Sequence, residues 1–180
     1  MDFLKLLTFS VSISVLLSND LNLRESNVYD DFGLLRYSKG KIYQINGDIV
    51  KETRKFLSSI HIELGDPNVN SYPLHLHKQG KRSTEHLIFQ QEHDGISVFG
   101  KYIRIHIKDK HISSLSSNIT PLTISTIPIL TKSGALDRIK PQHIFKSNYL
   151  QYKKLQIYIY KNFAHLVHTI DDISLDDAWR

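Results

Sequence analysis

The sequence predicts an α+β fold: an antiparallel β-meander packed on a helix, followed by a smaller helix-and-hairpin lobe. Three observations carry this. Residues 86–119 form three runs of alternating apolar and polar side chains separated by two turns, the period of half-buried strands. An apolar stripe at three- and four-residue spacing, the mark of an amphipathic helix, lies upstream of them. Residues 121–128, rich in Thr and Ser and with a proline at each end, read as an extended connector between lobes.

From the start of the chain, residues 6–17 are an apolar run interspersed with Ser behind the short polar opening MDFLK, the pattern of a secretory signal core. Residues 1–18 are therefore expected to be a signal peptide and the protein to be secreted or periplasmic. The polar segment 19–31 is expected to be irregular, and 40–48 a short strand running into the turn pair Asn46-Gly47. Asp48 can cap a helix in which Ile49, Thr53, Phe56, Leu57, Ile60 and Leu64 face inward and Lys51, Glu52, Arg54 and Lys55 face outward. Gly65-Asp66-Pro67 stops it, since Gly suits the position just past a helix and Pro prevents continuation. Tyr72, Leu74 and Leu76, alternating with His75 and His77, predict a further strand.

In the meander, Leu87, Phe89 and Gln91 share one strand face and His86, Ile88 and Gln90 the other. His93-Asp94-Gly95 turns the chain back through Ile96, Ser97, Val98 and Phe99 to a pause at Gly100. Ile103, Ile105 and Ile107 then alternate with Tyr102, Arg104, His106 and Lys108, which form a basic amphipathic face. Phe99 is expected in the core. A second turn at 108–110 leads to a Ser-rich strand, 112–119, stopped by Pro121, which cannot donate to a ladder. In the second lobe, Thr131 and Pro141 bracket a helix over 132–140. Leu155, Ile157 and Ile159 alternate with Gln156, Tyr158 and Tyr160, Lys161-Asn162 turns, and Ala164, Leu166, His168 and Ile170 alternate with His165, Val167 and Thr169.

Composition excludes several functions. Hydrophobic content of 41% and charged content of 23% fit a globular chain, and no apolar run approaches the ~18 residues of a membrane-spanning helix. The net charge of +5 is spread along the chain and accompanies no nucleic-acid-binding pattern, so no nucleic-acid partner is expected. With no Cys, there is neither a disulfide frame nor a thiolate site. Ten His residues raise the question of zinc, but a peptidase site needs two His four apart on a helix with Glu beside the first, and no His-Glu pair occurs. His75 and His77 share a strand face, His165 and His168 fall on opposite faces, and His86 and His93 stand at opposite ends of one strand. No nucleophile elbow or phosphate loop is present, and the aspartates at 171, 172, 176 and 177 read as a solvated tail. No catalytic residue, metal site or cofactor is expected.

The run LIFQQEHDGISVFG, with the basic-apolar strand after it and the exit SSLSSNITP, resembles the propeptide motif of thermolysin-like and fungalysin-like zinc metallopeptidases. Phe89, Gln90, Gln91, Gly95, Ile96, Val98, Phe99 and Gly100 fall on that motif. Ser97 stands where the family often has Pro, and Ser117 where it often has Gly. The helix segment ETRKFLSSIHIELGDPN resembles the family's helix before the meander, and the second helix and hairpin resemble its cystatin-like, PepSY-type lobe. The resemblance implies a propeptide-motif lobe over 19–121 and a cystatin-like lobe over 122–180. The latter would be truncated one strand short, because in the family a Trp placed like Trp179 opens a further strand. It further implies a non-catalytic protein that inhibits a thermolysin-like zinc metallopeptidase catalytic domain in trans or assists its folding, with Tyr102, Arg104, His106 and Lys108 as a possible contact face. The alternatives are a precursor that lacks its catalytic domain and a secreted binding module with an unrelated ligand.

Overall fold

The structure, a computed structural model, describes residues 24–139 and 148–174. The expected signal peptide, the Pro141 stop and Trp179 lie outside the described residues. Both helices and strands are present and strands predominate, in keeping with an α+β class. Among the described residues, 24–91 and 101–120 form one compact unit, and 92–100, 121–139 and 148–174 a second.

The first unit is built on a sheet with strand order β1-β2-β6-β5-β4-β3. Its strands are β1 (Arg24–Tyr29), β2 (Leu35–Gln44), β3 (Leu74–Gln79), β4 (Thr84–His93), β5 (Ile96–Lys108) and β6 (His111–Ser117), the last two strands before β6 being the hairpin whose tip belongs to the second unit. β1 was expected to be irregular; instead it pairs antiparallel with β2, from Arg24 opposite Gly40 to Tyr29 opposite Leu35. Its sequence, RESNVY, carries no apolar alternation because as an edge strand it is held by backbone pairing and leaves Ser26, Asn27 and Val28 exposed. The turn joining the two is organised by Asp30, whose carboxylate accepts from the Phe32 and Leu34 amides and from Arg36. These hydrogen bonds and the Arg36 charge hold its carboxyl below the ordinary range. Asp109 and Lys110, both at positive φ, close the turn between β5 and β6.

The helix is interrupted. Helix α1 (Ile49–Ser59) ends at Ile60, whose φ of −111° leaves the helical range, and α2 (His61–Leu64) follows, closed by Gly65 in the left-handed region. Phe56, Leu57, Ile60 and Leu64 share one buried cluster with Leu35, Leu87, Phe89, Ile103, Ile105, Ile107, Ile112 and Leu115. Glu52, expected on the outer face, is instead buried, accepting hydrogen bonds from the Tyr43 hydroxyl and Lys55. A carboxylate is tolerable there because both donors reach it, and they hold it below its ordinary range. Asp48 accepts from the Lys51 amide at 2.8 Å. Asp48→Ala is expected to lower stability by about 1 kcal/mol, the usual cost of an N-cap, as read from the urea unfolding midpoint.

In the second unit, β7 (Asn148–Tyr160) and β8 (Phe163–Ser174) form an antiparallel hairpin. Lys161 and Asn162, at φ 47° and 66°, make its two-residue turn, a conformation whose twist matches that of the strands. Val98, from the tip of β5, pairs in parallel with Ile157. The second helix, α3 (Lys132–Ile139), is capped by Thr131, whose hydroxyl accepts from the Gly134 amide at 3.2 Å. Among the described residues no helix is long and apolar enough to cross a membrane.

Candidate functional site

The motif residues divide by location. Phe89 is fully buried among the sheet and helix side chains, with the Arg54 guanidinium 5.2 Å from its ring centre. Gln90 is buried, and its backbone N–H donates to the Pro73 carbonyl. Gln91 is fully buried and clamps the exit of the meander: its Nε2 donates to the Thr120 carbonyl at 2.6 Å and its Oε1 accepts from the Thr120 amide at 3.1 Å. The Tyr72 phenol beside it donates to Asp66, and burial pushes that phenol far above its ordinary range. The Gln-Gln and NITP pieces of the motif, distant in sequence, are thus joined by a two-point hydrogen bond.

At the hairpin tip, Asp94 and Gly95 adopt positive φ and form the turn. Ile96 is half-buried and Val98 fully buried. The Ser97 hydroxyl accepts from Gln156 at 3.2 Å and Lys154 at 3.4 Å, hydrogen bonds that a Pro at this position would forgo. Phe99, expected in the core, is 57% exposed, its ring tilted against that of Tyr158 with ring centres 5.9 Å apart. The cause is Gly100: at φ 69° it breaks the two-residue period, so the phase running back from Ile103 does not continue to Phe99. Ser117, where the family often has Gly, buries its hydroxyl with no hydrogen-bond partner among the described residues.

Tyr102, Arg104, His106 and Lys108 lie on the face of β5 opposite the buried Ile103, Ile105 and Ile107. Arg104, His106 and Lys108 are exposed and Tyr102 is half-buried. The Arg104 guanidinium stands 5.4 Å from the Tyr102 ring centre, and the His75 ring centre lies 5.5 Å from it. On the neighbouring strand, His86 Nδ1 lies 2.6 Å from His106 Nδ1 with the rings edge-to-face. Burial and the His86 charge push His106 below the ordinary imidazole range. Sequence reasoning missed this pair. Of the other histidines, His77 meets Glu85 at 2.6 Å, His93 reaches the Ile124 carbonyl and His168 bridges Tyr152 and the Leu130 carbonyl. Among the described residues no group of three or more His, Asp or Glu converges as a metal cage would require.

What this surface can do chemically is present cations and imidazoles on a rigid strand. No protein-family model matches the chain, and no curated protein matches it.

Proposed function

We propose that the chain is a non-catalytic, secreted, propeptide-like protein that binds the catalytic domain of a thermolysin-like zinc metallopeptidase in trans, inhibiting it or assisting its folding. The supporting observation is the Gln91–Thr120 clamp, which gives two separate pieces of the propeptide-like motif one shared structural purpose. A motif spent on holding a fold suits a protein that works as a surface, as a propeptide does. On this reading the first lobe, 19–121, is a meander packed on its helix, and 122–180 is the cystatin-like lobe, its α3 and β7–β8 hairpin being in the expected order. Export rests on the apolar run at 6–17.

The contact face is Tyr102, Arg104, His106 and Lys108, whose cations suit a carboxylate-rimmed cleft. Charge at an exposed rim acts mainly on encounter, and it is screened over roughly 8–10 Å at physiological ionic strength. Arg104→Glu with Lys108→Glu is expected to slow association with the peptidase by about tenfold or more at low salt, within the span of electrostatic steering, while dissociation changes little and the circular dichroism spectrum is kept. Surface plasmon resonance across a salt series measures both rates. Equal association rates for parent and charge-reversed proteins would discard this face.

A further inference from the structure

The His86–His106 pair has no part in the motif and makes a second kind of site. Both residues stand on the sheet face opposite the core, on adjacent strands, with their Nδ1 atoms directed at each other across 2.6 Å. One of the two donates and the other accepts, so a single proton lies between the two rings. Gly80 leaves room beside the His86 ring: a Cβ built there would stand 2.4 Å from Thr84 Oγ1 and 2.8 Å from His86 Nε2, so a larger residue would require these side chains to shift.

We propose that His86 and His106 form a two-imidazole chelating site for an exchangeable divalent transition-metal ion, Cu²⁺, Ni²⁺ or Zn²⁺. Two imidazole nitrogens about 2.0–2.1 Å from one tetrahedral ion lie about 3.3 Å apart. The pair therefore needs to part by less than about 1 Å, a small side-chain rotation, when an ion takes the place of the shared proton, which passes through water to Nε2 of the same ring so that both ligands stay neutral. Metal binding requires neutral imidazole, so protons compete with the ion for the pair.

The surroundings set the site's character. Lys78 lies opposite His86 on β3, Ser114 opposite His106 on β6, and Arg104 and Lys108 flank His106 on its own strand. These cations oppose a divalent charge, so the ion is held loosely, with water or an anion completing its shell. Nitrogen ligands select Cu²⁺ over Ni²⁺ and Zn²⁺, and exclude Mg²⁺ and Ca²⁺, which take oxygen. Such a site differs from the three- or four-ligand centre of a zinc enzyme, and it does not depend on the proposed peptidase partner.

Isothermal titration of chelator-treated, tag-free protein with CuCl₂, NiCl₂ and ZnCl₂ tests it, alongside His86→Gln, His106→Gln and, as a control for other surface imidazoles, His77→Gln. The expected result is one saturable site per chain that prefers Cu²⁺, weakened by about tenfold or more in either pair variant and unchanged in His77→Gln, with all variants keeping the parent's circular dichroism. Nitrogen-15 spectra of the imidazoles give an independent reading, in which the His86 and His106 signals move together with added ZnCl₂. Absence of binding at millimolar ion, or equal affinity in His106→Gln and the parent, overturns the proposal and leaves the pair a shared hydrogen bond.

Discussion

Phe89→Ala is expected to lower stability by about 3–5 kcal/mol, the usual loss for a large buried aromatic, and Phe99→Ala by far less. The two phenylalanines belong to the same motif and sit ten residues apart, yet Phe89 is fully buried and Phe99 is 57% exposed. Removing the Phe89 ring opens a cavity between helix and sheet, where Leu57, Leu87 and Ile103 are already packed and can collapse only in part. It also removes the ring under Arg54. At Phe99 a largely exposed ring is removed, and with it the tilted contact with Tyr158. Urea unfolding of both variants against the parent reads the difference; comparable losses at the two positions would mean that the hairpin tip is packed differently.

Gln91→Leu is expected to be nearly as damaging, although it replaces a polar side chain with an apolar one in a buried place. The half-buried Thr120 amide and carbonyl both take their partner from Gln91, and a buried backbone group left unpaired costs about 1–3 kcal/mol, with less lost where water reaches it. Leu offers no donor or acceptor, so its added hydrophobicity does not offset two orphaned groups. Gln91→Glu should also destabilise, because a carboxylate accepts from the amide but opposes the carbonyl. Besides a lower urea midpoint, amide hydrogen exchange at Thr120 should quicken in Gln91→Leu. An unchanged exchange rate there would show that Thr120 is held by something else.

Much of the first unit is legible in the sequence because one physical rule governs it: Ile103, Ile105 and Ile107 alternate without interruption, and a half-buried strand must alternate. Asp48, Gly65 and Lys161-Asn162 are equally readable, since caps and tight turns demand particular side chains or φ values. What escapes is anything that depends on register. Counting back from a two-residue turn with His93 opposite Ile96 would set His86 against Ile103 rather than His106. In the structure His86 meets His106 instead, and Gly100, at φ 69°, breaks the alternation that would have carried Phe99 inward. β1 escapes for a different reason: RESNVY is held by backbone hydrogen bonds at a sheet edge and carries no side-chain pattern to detect. Glu52 illustrates a third limit, because its burial depends on Tyr43 and Lys55 arriving from outside its own turn of helix or from one turn on. The contact face is readable as an exposed basic strand, while the Gln91–Thr120 clamp needs tertiary proximity that no spacing along the chain reveals.

A single titration tests the proposed inhibition in trans most directly. The mature chain, added in increasing amounts to a thermolysin-like peptidase from the same source, should reduce hydrolysis of a casein substrate to a plateau reached at one chain per peptidase, and it should itself hydrolyse nothing. Full peptidase activity in the presence of excess folded chain would contradict the propeptide-like reading.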